Sequence, residues 1–309
     1  QKGHQSLYLI TEAVDTIIKM SVQTANAVEE QSNSTEYINK SLNKLTGIVD
    51  TTTTLAESSA AAAQEQTLTI DYLRSITNLD NSFVDENTIR LYNYKNLPPF
   101  VTAPGQGLTY ELVDYLNSKF NGSYRFVLFN LPRNHLNKLL DNNFKGMVPW
   151  TCAAWHGDPN ETIFQWTPGF FNDYNSILSL AKSPFEYEGP KSMAGHTMGG
   201  NLGFFYLFLD DMARNNEFKR VDVSNVLEIF KRLQSHRIDT ALVTGSTARY
   251  LLAQNKMAGE FHFSKKHHHD YTYQTLCQGL PDEQFKQIKR VTANMPNDPD
   301  WKNRISRYL

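Results

Sequence analysis

The chain has 309 residues, with 30 Lys/Arg against 32 Asp/Glu and a formal net charge of −2, so no basic excess drives nucleic-acid binding. Two cysteines exclude a disulfide scaffold, and no apolar run approaches the roughly 18–20 residues of a membrane span. This length predicts about two domains.

Composition breaks near residue 80. Before it there is no Pro, Trp, Phe or Cys, and only Gly3 and Gly47 interrupt the helix formers. Residues 1–80 hold 5 Lys/Arg and 10 Asp/Glu; the remainder holds 25 and 22. The first segment reads as a long polar helix (1–80) and the second as a globular domain (81–309). Gln1 opens the chain with no charged-then-apolar leader after it, which predicts a fragment without a signal peptide.

The first segment keeps a seven-residue period. One seam runs Ile10, Ile17, Thr24, Gln31, Ile38, Leu45 to Leu73, and a second runs Val14, Ser21, Val28, Thr35, Leu42, Val49 to Thr77. About ten heptads predict a coiled coil roughly 100 Å long, which requires a partner helix and is expected to make a homodimer. Thr, Gln and Ser among the seam residues make it weakly packed. Ala27-Val28-Glu29-Glu30-Gln31-Ser32 and Leu55-Ala56-Glu57-Ser58-Ser59-Ala60-Ala61-Ala62-Ala63, in this register, resemble the C-terminal leg of the signalling hairpin of methyl-accepting chemotaxis proteins. That resemblance implies methylation at Glu30, Glu57 and Glu65, with a chemotaxis methyltransferase and methylesterase as partners. Glu57 lies at a b position and Glu30 and Glu65 at c, beside the seam and open to solvent; as bare charges they also read as an ordinary solvated face. Ala56 departs from the family's paired Glu/Gln. The hairpin tip that contacts the kinase is absent, so this chain alone is not expected to activate one.

From residue 87 short apolar strands alternate with helical stretches, which reads as α/β. Strands are expected at Ile89–Tyr92, Tyr124–Phe129, Gly146–Trp150, Asn175–Ala181, Ile238–Val243 and Tyr271–Cys277. Helices are expected at Leu108–Phe120, Leu136–Asn142, Ser224–Ser235 and Asp282–Ala293, and Leu97-Pro98-Pro99-Phe100 reads as a turn. Pro98-Pro99-Phe100, Gly107-Leu108-Thr109-Tyr110-Glu111, Phe164 to Phe171, Arg237-Ile238-Asp239 and Trp301 with Ile305 resemble, in order, the markers of family-3 periplasmic solute-binding proteins. The whole chain thus reads as a long α-helical coiled coil followed by a two-lobed α/β periplasmic-binding-protein-like domain of type II, with a hinge of two strands. The resemblance implies a first lobe of about 87–182 with 264–309, a second of about 183–263, and closure on a small-molecule ligand.

Carried over position by position, the amino-acid clamp of that family is missing. Tyr94 stands where an aspartate holds an α-ammonium, Thr244 replaces a second acidic contact, and the loop Pro149–Gly157 has no arginine. Phe204 and Phe205 replace a hydroxyl pair. Tyr94, Trp150, Thr151, Phe170, Phe171, Tyr174, Phe204 and Thr244 are therefore the candidate ligand contacts. Arg133 is the one cation expected in the cleft, suited to a carboxylate or phosphate. The aromatic residues suit a flat ligand, or equally a plain core.

Other signals carry less. Lys265-Lys266-His267-His268-His269 reads as a solvated loop, since consecutive histidines do not converge on one ion. Gly199-Gly200 precedes aromatic residues and lacks the Lys-Ser/Thr of a phosphate loop. Some proteins of this fold are enzymes, such as cyclohexadienyl dehydratases, yet no acid–base pair stands out, so no catalysis, cofactor or metal is expected. The function expected is a chemoreceptor fragment that couples a solute-binding-like sensor to a methylatable coiled coil. The resemblance implies a cytoplasmic helix, and because the stretch Leu79–Thr88 cannot cross a bilayer the sensor is then expected to be cytoplasmic too. The alternatives are a transport-type, periplasmic solute-binding protein on a helical tether, and a ligandless docking module.

Overall fold

The computed structural model describes residues 87–309 except 142–143 and 224, and helical residues 19–21, 24, 31–32, 34–49, 51–53, 55–56, 59, 63 and 66. The chain divides into two compact units, 1–60 and 61–309. The composition boundary near 80, the connecting stretch 79–86, and Glu30, Glu57 and Glu65 lie outside the described residues.

In the first unit the described residues are helical, and 34–49 form a continuous stretch, α1. Threonines weaken helices by offering their hydroxyls to nearby backbone. Here Thr35, Thr46, Thr51, Thr52 and Thr53 each donate to the carbonyl four residues earlier, which keeps them within the helix. Ile38, Leu42, Leu45 and Val49, all on the predicted seams, are more than half exposed. The seam is thus bare over α1, and the long coiled coil expected from the heptads is not shown. Among the described residues no helix is long and apolar enough to cross a membrane.

The second unit is built on strands β1 (Thr88–Asn93), β2 (Arg125–Asn130), β3 (Gly146–Thr151), β4 (Gln165–Trp166), β5 (Phe171–Leu180), β6 (Thr197–Asn201), β7 (Lys219–Val223), β8 (Thr240–Thr244), β9 (Phe261–Phe263) and β10 (His269–Gln278). Their order is β2-β1-β3-β10-β5-β8-β6-β7. Parallel β1, β2 and β3 form one lobe, and parallel β6, β7 and β8 form the other. The two long strands β5 and β10 pair antiparallel over Phe171–Asn175 and join them. Downstream, β10 runs beside β3 and β4, while β5 runs beside β8 and β9.

Helix α2 (Leu108–Phe120) shows how sequence sets packing. Leu108, Leu112, Tyr115, Leu116 and Phe120 fall on one face at helical spacing and are all buried. Gly107 precedes it at φ +121°, and a Cβ there would lie 2.5 Å from the Phe100 carbonyl oxygen, so only glycine lets the chain pass. The first lobe's core continues through the C-terminal helix α8 (Pro299–Ile305), capped by Asp298, whose carboxylate accepts from the Asp300 N–H at 2.9 Å. Trp301 on α8 is wholly buried against Tyr115 and Trp150, at ring-centroid distances of 5.5 and 6.4 Å. Arg304 fastens α8 to α2 through Glu111 at 2.9 Å. The second lobe packs α4 (Leu209–Arg214), α5 (Val226–Gln234) and α6 (Gly245–Gln254) on its sheet through Leu209, through Ile229, Phe230 and Leu233, and through Ala248 and Leu252 respectively.

Because Trp301 ties the last helix into the first lobe's core, Trp301→Ala should cost about 3–5 kcal/mol in a denaturant titration of the whole chain. Ile163→Ala, at a 64% exposed position, should change the midpoint by less than about 0.5 kcal/mol. Equal shifts would contradict this packing.

Candidate functional site

Parallel strands that end at one edge release their following residues into one crevice. In the first lobe β1 releases Tyr94 and Lys95, β2 releases the turn to Arg133 at the start of α3 (Arg133–Asp141), and β3 releases Cys152 and Trp155. Buried Asn93 organises this edge. Its Nδ2 donates to Asn130 Oδ1 at 2.8 Å across the strand ends, and its Oδ1 accepts from the Lys95 N–H at 3.1 Å.

The Lys95 side chain lies among rings. Its Nζ stands 4.3 Å from the Tyr273 centroid, 4.8 Å from Phe100 and 5.6 Å from Trp155, and it donates to the Tyr273 hydroxyl. Burial lowers its pKa to about 8; Asp173 and Cys152 act to raise it, and Arg133 lowers it further. Tyr271 and Tyr273 point to one face of β10, two residues apart, with hydroxyls 3.5 Å from each other. Burial pushes both phenols up, so they stay protonated donors.

Arg133 is exposed and lies over the Tyr94 ring, 4.5 Å from its centroid. The Tyr94 hydroxyl donates to the Trp150 carbonyl at 3.4 Å. Thr151 is buried, and its Oγ1 shares a 2.8 Å hydrogen bond with His156 Nε2. Burial, with Arg133 nearby, pulls the His156 pKa down to about 4.

On the hinge, Asp173 is buried opposite Tyr271. Its Oδ1 accepts from the Tyr174 N–H at 2.9 Å and the Ser246 N–H at 3.1 Å, and its Oδ2 accepts from Ser246 Oγ at 2.6 Å. The carboxylate thereby binds the first turn of α6. Desolvation raises its pKa, against the Ser246 hydrogen bond and Lys95. Tyr174 stacks on His267 with centroids 3.7 Å apart and planes 10° from parallel, and Arg249 approaches its ring at 5.5 Å. A Cβ at Gly245 would sit 2.4 Å from Tyr174 Cζ, so any other residue there would displace the ring that stacks on His267.

The predicted contacts separate on this frame. Tyr94, Arg133 and Thr151 gather at the first lobe's edge, and half-buried Phe171, half-buried Tyr174 and buried Thr244 lie along the hinge. Trp150 and Phe170 instead belong to the core. The Trp150 side chain is wholly buried, its backbone held at φ +59°, and its Nε1 donates to Thr109 Oγ1 at 3.0 Å. Phe170 is 5.2 Å from it. Phe204 is exposed after β6 on the second lobe, where its carbonyl accepts from Arg220 at 2.8 Å. Arg133 is joined by a second cation, Lys95, which the sequence reading missed along with Trp155, Asp173, Tyr271 and Tyr273. The residues 265–269 are also more than a solvated loop: His267 carries the Tyr174 stack, and His268 Nδ1 meets the Tyr187 hydroxyl at 2.9 Å. Among the described residues no His/Cys/Asp/Glu group could hold a metal ion.

Comparison with solved structures gives the architecture its place. A mutant of the arginine-binding protein ArgBP from T. maritima superposes with a TM-score of 0.53 at 15% identity, over 72% of this chain and 95% of that one. An ancestral arginine-binding protein bound to arginine gives 0.55 at 15%, over 72% and 98%. The GluR0 ligand-binding core from Nostoc punctiforme in complex with (L)-glutamate gives 0.55 at 14%, over 72% and 99%. The α/β unit has the two-lobed periplasmic-binding-protein-like fold. No family model and no curated protein matches the chain.

The two half-buried histidines give a pH dependence. His156 and His268 both have pKa values near 4 in the fold, against 6.5 when free. Between those values the unfolded chain binds more protons, so stability falls as pH drops from about 6.5 to 4. His156→Gln should flatten that slope in chemical denaturation at stepped pH, leaving the part due to His268. An unchanged slope would contradict a neutral, buried His156.

Proposed function

We propose that the α/β unit is a non-catalytic solute-binding module whose two lobes close on a small molecule, with helix α1 as a tether. The observation that carries this reading is the joint placement of Tyr94, Lys95, Arg133, Tyr271 and Tyr273 where the hinge strands meet the first lobe's strand ends. The solved structures with this fold include arginine- and glutamate-bound proteins and a substrate-binding protein of an amino acid ABC transporter, which supports a transport-type role. The cleft of this chain differs from an amino-acid clamp: Tyr94 stands in place of the ammonium-binding aspartate, and Asp173 is engaged by α6. Closure about β5 and β10 would bring the second lobe, with Thr244 and Phe204, towards the bound molecule.

The sensor reading has a separate support. The bare seam of Ile38, Leu42, Leu45 and Val49 favours association of α1 with a partner helix, and a solute-binding unit attached to such a helix could bias its pairing. Methylation of Glu30, Glu57 or Glu65 belongs to that second reading.

A thermal-shift screen of the full chain against amino acids, dicarboxylates, aromatic acids, polyamines and nucleobases tests the main reading. A ligand at about 100 times its Kd should add about 2.7 kcal/mol, a midpoint rise of roughly 5–10 °C. Arg133→Ala and Trp155→Ala should diminish the rise. Silence across the whole panel would overturn the binding reading.

A further inference from the structure

We infer that the inter-lobe cleft takes an anion, a carboxylate-bearing ligand with no ammonium or guanidinium group, because the chain's own Lys95 fills the aromatic box that such a cation would need. The inference rests on the small-molecule reading above and narrows it to a chemical class.

Three rings around one ammonium make a site for an alkylammonium ion, because ring faces carry negative charge. Here Phe100 and Tyr273 are wholly buried and Trp155 is 38% exposed, so the box has two fixed walls and one wall reached by solvent. Lys95 Nζ occupies it and is further held by the Tyr273 hydroxyl. The occupant arrives from the adjacent strand end, since Asn93 fixes the Lys95 backbone. A ligand cation must expel a tethered competitor whose effective concentration is high.

The remaining charges point the same way. Arg133, over Tyr94, has no carboxylate partner among the described residues, so it adds a second cation to Lys95 at the same strand edge. Asp173 is the nearby acid, and its two oxygens already accept from the Tyr174 N–H, the Ser246 N–H and Ser246 Oγ. It has little left to offer a ligand ammonium. The Tyr273 hydroxyl accepts from Lys95 and points its own proton at the Tyr271 oxygen, so the acceptor an incoming ammonium would use in the box is already taken. Two cations of different geometry, one planar and forked, suit a carboxylate approached from two sides. The aromatic surface of Trp155 and Phe171 would then meet the apolar part of the ligand.

The test uses the full chain and four proteins: wild type, Lys95→Ala, Lys95→Met and Lys95→Arg, with far-UV circular dichroism to verify folding. Acetate, succinate and phenylacetate are titrated against n-butylamine, phenethylamine and L-arginine at pH 7, with tryptophan fluorescence and thermal shift as readouts. Wild type should respond to carboxylates and not to the amines. Lys95→Met, which keeps the box filled without charge, should weaken the carboxylate at least tenfold, and Lys95→Arg should retain most of it. Lys95→Ala should gain n-butylammonium binding that Lys95→Met lacks. Amine or arginine binding to wild type as tight as that of the carboxylates would overturn the inference and leave the binding module standing. Carboxylate binding unchanged in Lys95→Met would overturn it too. Silence of every probe with all four proteins would remove the binding module, and the inference with it.

Discussion

The antiparallel pairing of β5 with β10 is the constraint on which the rest of the α/β unit depends. Five consecutive pairs, from Phe171 opposite Tyr273 to Asn175 opposite His269, hold two lobes that otherwise have separate cores. Strand periodicity then distributes the side chains. Phe171 and Tyr273 stack as a cross-strand pair at 6.0 Å, and two residues on Asp173 stands opposite Tyr271. A slip of one residue would turn every one of these groups to the opposite face. Register, lobe geometry and site chemistry are therefore one property of the fold.

Burial then sets the chemistry of the site. Asp173 has been taken from water and its pKa raised, yet three hydrogen bonds compensate the carboxylate and hold α6 to the hinge. Lys95 has been taken from water as well, and ring faces and a phenol replace part of its hydration. A half-buried ammonium ringed by aromatic faces, without a direct carboxylate contact, costs more to hold in the charged state than one in water. The anion binding proposed above would offset that cost with an opposite charge.

Much of the fold was legible from local signals. The apolar face of Leu108–Phe120 gave helix α2 at both ends, and the strands around Leu91, Val127, Val148, Leu242 and Leu276 followed from short apolar runs. Helix α6 was not foreseen, because Gly245-Ser246-Thr247 is a poor helix start until Asp173, over seventy residues upstream, accepts from Ser246. Strands β6 and β7 are interrupted by glycine or charge and β9 is only three residues long, so their pairing partners define them. The candidate site was legible in part for the same reason. Tyr94 and Arg133 follow strand ends and can be read from them, whereas the box around Lys95 is assembled from residues 100, 155 and 273. Trp150 illustrates the converse. An aromatic residue at a strand end reads as cleft or core alike, and only Thr109, Phe170 and Trp301 decide for the core.

The most direct measurement on this account is the titration of the Lys95 amine itself, followed by NMR in protein carrying isotope-labelled lysine and assigned with Lys95→Arg. Desolvation among Phe100, Trp155 and Tyr273 should hold the midpoint near 8 in the ligand-free chain. An ordinary lysine midpoint, above about 10, would place the amine in water and contradict the box.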